Sequence, residues 1–153
     1  MLREEAKSRH MSINSLASQI IGQHLHYNMN APKAGLIPLS KSAITMLLDG
    51  ATQEEIKKIA DASAKDFSDM IILLRGELTV EASVDVLESW LGTTDFNFTR
   101  RIRPDKIMFV IRHEMGRKWS VFLSEYFRSA MEQLEKNIKL KISDNNIAIE
   151  LDL

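Results

Sequence analysis

A chain of 153 residues is long enough for one ordinary domain, or for a small module joined to a compact one. A hydrophobic fraction of 44% beside 27% charged residues is that of a soluble globular protein and not of a disordered one, and no apolar run approaches the roughly 20 residues that a membrane helix needs. The absence of cysteine excludes disulfides, thiolate metal sites and cysteine nucleophiles, while the formal net charge of −1 hides a strong internal asymmetry.

In chain order, Leu2 to His10 reads as a short helix, and Met11-Ser12-Ile13-Asn14 as a tight turn into a second helix through Leu16, Ile20, Ile21 and Leu25. Ser12 stands at the N-cap and Asn14 just inside. A helix opening leaves backbone N–H groups unpaired at the positive end of its dipole, a setting suited to a phosphate, and Lys7 and Arg9 flank it. Two short helices cannot bury an apolar side by themselves. Leu16, Ile20, Ile21 and Leu25 therefore predict a core shared between two copies, a homodimer.

These residues resemble the two helices of the ribbon-helix-helix DNA-binding family, in which a small apolar residue, Ser, a free position and Asn open the second helix. The likeness covers residues 2–25. It implies a dimeric DNA-binding transcriptional regulator with Lys7, Arg9, Ser12 and Asn14 on DNA phosphates. His10 occupies the place where that family usually has Gly, a position that often needs a left-handed backbone. The family reads bases with a strand set just before its first helix, and Leu2 leaves no room for one. Three expectations follow: the true start lies upstream, the pair only dimerises, or these helices serve another purpose.

Asn28 to Gly35 breaks the periodicity and reads as a linker, dividing a helical pair at residues 1–28 from an α+β unit at residues 36–153. Ser40 caps a short helix through Ile44, Leu47 and Leu48 that ends at Gly50. Thr52-Gln53-Glu54-Glu55 is a capping box that opens a long helix with Ile56, Ile59, Ala60, Phe67, Met70, Ile71 and Leu74 on one stripe, ended by Gly76. Thr79 caps a third helix through Ala82, Val86, Leu87, Trp90 and Leu91.

The period then changes to two. Phe96, Phe98 and Ile102 alternate with polar residues up to the turn pair Pro104-Asp105, and Ile107, Phe109 and Ile111 alternate on the return. After Gly116 a helix carries Trp119, Phe122, Leu123, Tyr126, Ala130 and Leu134. Two further strands follow, Ile138 to Ile142 and Ile147 to Leu151, joined at Asp144-Asn145. The predicted fold class is α+β: a helical pair, three more helices, then a four-stranded antiparallel sheet built hairpin-helix-hairpin and covered by helices.

From Ala51 to Asp95 there are ten acidic and four basic residues, and from Arg100 to Lys118 seven basic and two acidic. The split suggests an acidic helical face and a basic sheet face, with Arg101, Arg103, Lys139 and Lys141 outward, usable for a protein partner or simply solvated. His24 and His26 diverge on a helix and read as a surface pair, not metal ligands. The turn at Pro104-Asp105 sets Arg100 opposite Phe109 and Phe96 opposite His113. That places Arg100 and His113 on the apolar face, where Glu114, Tyr126 or an anionic ligand could answer the Arg charge, unless Arg100 snorkels to water and His113 caps a turn. Arg117 and Lys118 beside Gly116 could complete an anion site at the helix opening.

The P-loop spacing, the HExxH pair and the serine elbow are all missing, so no enzyme, cofactor or metal is expected. Trp90, Trp119, Phe122, Tyr126 and Phe127 lie at helical spacing, which suits a core or the lining of an apolar cavity. The preferred expectation is a cytoplasmic DNA-binding regulator, dimerised through its first helices, whose C-terminal unit senses a ligand or contacts a partner. The alternative is a protein-interaction or small-ligand module with no nucleic-acid role.

Overall fold

The computed structural model describes residues 1–152, apart from the side chain of His26, so the expected His24–His26 pair lies partly outside the described residues. Helices α1 (Leu2–Ser8) and α2 (Ile13–Gln23) come first, and α2 passes into a single π-helical turn, His24–Asn28. Helices α3 (Lys41–Gly50), α4 (Gln53–Arg75) and α5 (Val80–Leu91) follow. Strands β1 (Asn97–Arg103) and β2 (Lys106–Arg112), helix α6 (Gly116–Glu132), and strands β3 (Ile138–Ile142) and β4 (Asn146–Asp152) complete the α+β fold.

Local chemistry explains the boundaries. Ser12, Ser40, Thr52 and Thr79 each accept the backbone N–H three residues on, and Glu55 returns the favour to the Thr52 backbone. Gly76 ends α4 in the left-handed conformation at φ 82°. The buried stripe of α4 is Ile56, Ala60, Ala64, Phe67, Met70 and Ile71. Ile59, expected on it, is exposed because it lies on the flank of that spacing, and Leu47 on α3 is exposed likewise.

The sheet is antiparallel in the order β1-β2-β4-β3. The register at the first turn is as read from the sequence, with Ile102 opposite Ile107 and Arg100 opposite Phe109. The central strands β2 and β4 bury Ile107, Phe109, Ile111, Ile147, Ile149 and Leu151 in one core with Leu123, Phe127 and Ala130 of α6. Edge strand β1 is exposed along its whole length. Phe98 and Ile102, expected under the covering helix, stay open to solvent because the helices cover the middle of the sheet and not this edge. Among the described residues, no helix is long and apolar enough to cross a membrane.

Candidate functional site

At the N-terminal turn, His10 adopts φ 53°, the left-handed conformation for which glycine is the usual choice. The Met11 N–H bonds back to the Ala6 carbonyl at 2.9 Å, which closes α1. Ser12 Oγ then accepts the Ser15 N–H at 3.0 Å and opens α2. Lys7 and Asn14 are exposed beside this opening. Arg9 is not free there: its Nε sits 2.7 Å from Glu5 Oε1.

The contact between α1 and α2 buries Ala6 and Leu16, and little else. Ile20, Ile21 and Leu25 remain 49%, 58% and 53% exposed, and Ile13 on the same helix is open as well. Of the four residues expected to form a shared apolar stripe, the single chain covers Leu16 alone. The arm is nevertheless anchored at its far end. Gln23 Nε2 donates to the Ser89 carbonyl of α5 at 2.8 Å, and Tyr27 of the π-helical turn is buried in the core of the α+β unit.

The four residues proposed as an anion site do not converge. Arg100 pairs with Glu88 of α5 at 2.6 Å, in place of the expected Glu114 or Tyr126, while Glu114 pairs with Arg112. His113 is fully buried; its Nδ1 accepts the Met115 N–H at 3.0 Å, so Nε2 is the protonated nitrogen and donates to Ser120 Oγ at 2.8 Å. Burial, and after it the Lys41 charge, pushes the His113 pKa from 6.5 down to about 4. Arg117 donates to the Ile142 carbonyl, and Lys118 to the carbonyls of Asp49 and Ala51 at the end of α3.

The opening of α6 is itself occupied. Gly116 sits at φ 81° and its N–H donates to Asn145 Oδ1 at 3.0 Å. The Asn145 carbonyl takes the His113 N–H, and the Asp144 carbonyl takes the Ser120 hydroxyl. The turn between β3 and β4 thus caps the helix that follows β2. In sequence Asp144-Asn145 signals a turn only, and nothing local reveals this second duty. Lys41, equally silent, reaches the His113 carbonyl at 3.0 Å and Asp95 at 2.6 Å.

On the outer sheet face, Glu150 is bridged by Lys106 at 3.1 Å and Lys139 at 3.3 Å, while Arg101, Arg103 and Lys141 stay exposed. These two lysines lower the Glu150 pKa by hydrogen bonding. What the arrangement offers chemically is therefore a helix opening and an apolar stripe at the N-terminus, and a self-satisfied junction where the polar residues are densest. No protein-family model matches the chain, and no curated protein matches it either.

Proposed function

We propose that the chain is a non-enzymatic DNA-binding transcriptional regulator, dimerised through α2, whose α+β unit is the sensing half. The observation that carries this reading is the uncovered stripe of Ile20, Ile21 and Leu25 on a helix opened by a Ser12 cap. Large apolar side chains aligned on one exposed helix face favour a self-complementary contact about a two-fold axis. Such a pairing gives the dimer two α2 openings, each with unpaired N–H groups, Asn14 and Lys7 turned to solvent. Arg9 joins them when a phosphate displaces its exposed partner Glu5, since an exposed ion pair contributes only about 1 kcal/mol or less. The left-handed His10 also supports the family likeness, because it stands where that family places glycine.

Fluorescence polarisation with labelled duplex DNA tests the proposal, on this chain and on a form extended in frame upstream of Met1. Binding that weakens with added salt, and weakens further in Lys7→Ala and Asn14→Ala, supports it. The absence of salt-sensitive binding by both forms removes it.

A further inference from the structure

We propose that the cavity between the π-helical turn and the α+β core binds a compact aromatic molecule bearing a protonated amine. The cavity has a volume of about 190 Å³. An apolar void of about 150 Å³ already accommodates a benzene-sized guest in other proteins, so a single ring with a short arm fits the available space.

Its walls are largely aromatic. Trp119 and Phe122 of α6 stack at 4.7 Å between ring centroids with a 23° tilt, and Phe122 and Tyr126 continue the row at 5.9 Å and 26°. Spacing of three and then four residues places these rings along one helix face. Trp90 of α5 and Tyr27 of the turn add two further aromatic rings to the lining. The Trp119 indole N–H is buried and has no hydrogen-bond partner among the described residues.

Asp66 of α4 fixes the sign of the guest's charge. It is the one charged side chain among the described residues that line the cavity. Tyr27, Asp66 and Tyr126 all line this cavity, and burial, followed by the Tyr27 phenol and the Asp66 carboxylate, holds the Tyr126 hydroxyl well above its ordinary pKa. Aromatic faces carry negative charge density, and together with a carboxylate they attract an organic ammonium and repel an anion. Because Tyr27 belongs to the turn that continues α2, a guest in this cavity touches the segment that orients the N-terminal helices. This assignment rests on reading the α+β unit as the sensing half, but its test involves neither DNA nor dimerisation.

Both tryptophans of the chain line the cavity, so intrinsic fluorescence reports its occupancy directly. Phenethylamine, ethylbenzene and hydrocinnamate share one ring and a short arm while differing in charge, and each is titrated into the full chain. A saturable fluorescence change with phenethylamine, about tenfold tighter than with hydrocinnamate, is the expected result. Asp66→Asn, at an exposed site that leaves folding intact, removes most of that preference and leaves ethylbenzene unaffected. The assignment is overturned by equal affinity for all three, by no saturable change with any, or by an Asp66→Asn chain that still prefers the cation. A failed DNA assay leaves each of these outcomes readable.

Discussion

The imidazole of His113 and the hydroxyl of Ser120 meet at 2.8 Å inside the protein, at the junction where β2 hands the chain to α6. Both side chains are fully buried, and the second ring nitrogen accepts the Met115 N–H. The pair holds the neutral imidazole in one tautomer and spends both its nitrogens on the fold. A charged imidazole would lose the Met115 bond and would lie near the Lys41 ammonium, whose Nζ bonds the His113 carbonyl.

Stability should therefore fall as the pH drops from neutrality. The His113 pKa is lowered from 6.5 in the unfolded chain to about 4 in the folded one, so between those values the unfolded chain binds more protons. The full contribution is present above pH 6.5 and declines as acid approaches pH 4. It amounts to at most about 3 kcal/mol from this residue. Urea unfolding at pH 7.5 and at pH 5 measures it, and the difference should shrink in His113→Gln.

Lys118 and Arg117 are adjacent but unequal. Lys118→Met removes two hydrogen bonds to the end of α3 and should cost about 1–2 kcal/mol, whereas Arg117→Met, with one long bond at an exposed site, should cost less than about 0.5 kcal/mol. Chemical denaturation of both variants decides this, and equal losses would contradict the assigned roles.

Gly116→Ala tests backbone strain in isolation. The site has φ 81°, and a methyl group there meets nothing within 4 Å, so any cost arises from the left-handed conformation alone. A loss of about 1 kcal/mol is expected. Asn145→Ala at the facing turn should lose a similar amount by uncapping the same N–H.

Ile20→Asp, Ile21→Asp and Leu25→Asp should each convert a dimer to monomer in sedimentation equilibrium while leaving the thermal midpoint of the α+β unit nearly unchanged, because these side chains are exposed within one chain. Leu16→Ala should instead loosen α1 from α2 and cost about 2–3 kcal/mol in that local contact. A wild-type chain that stays monomeric at high concentration would falsify the dimer.

Arg100→Ala should cost less than about 1 kcal/mol, since its ion pair with Glu88 is roughly a third exposed and solvent-screened. Its larger duty concerns the edge of the sheet. Arg100, Arg101 and Arg103 charge an open strand beside exposed Phe98 and Ile102, and charges on an edge strand discourage pairing with a second sheet. Light scattering of the triple Ala variant, compared with wild type, should show added association.

Element types, the caps at Ser12, Ser40, Thr52 and Thr79, and the register of Ile102 with Ile107 were all legible in the sequence, because each depends on residues within one turn of chain. The exposure of Ile20, Ile21 and Leu25 was legible too, since two short helices have too little surface to cover them, whereas Leu16, read onto the same stripe, is buried within the single chain. The destination of the charges was not. Lys118 reaches a carbonyl 69 positions away, and Asn145 caps a helix 29 positions before it. Tertiary packing alone chose those partners, placed β2 beside β4 in the middle of the sheet, and assembled the aromatic cavity from four separate segments. Periodicity and capping are short-range forces that act wherever the chain goes, whereas ion pairs and cavities exist only after distant elements have been brought within a few ångströms of one another.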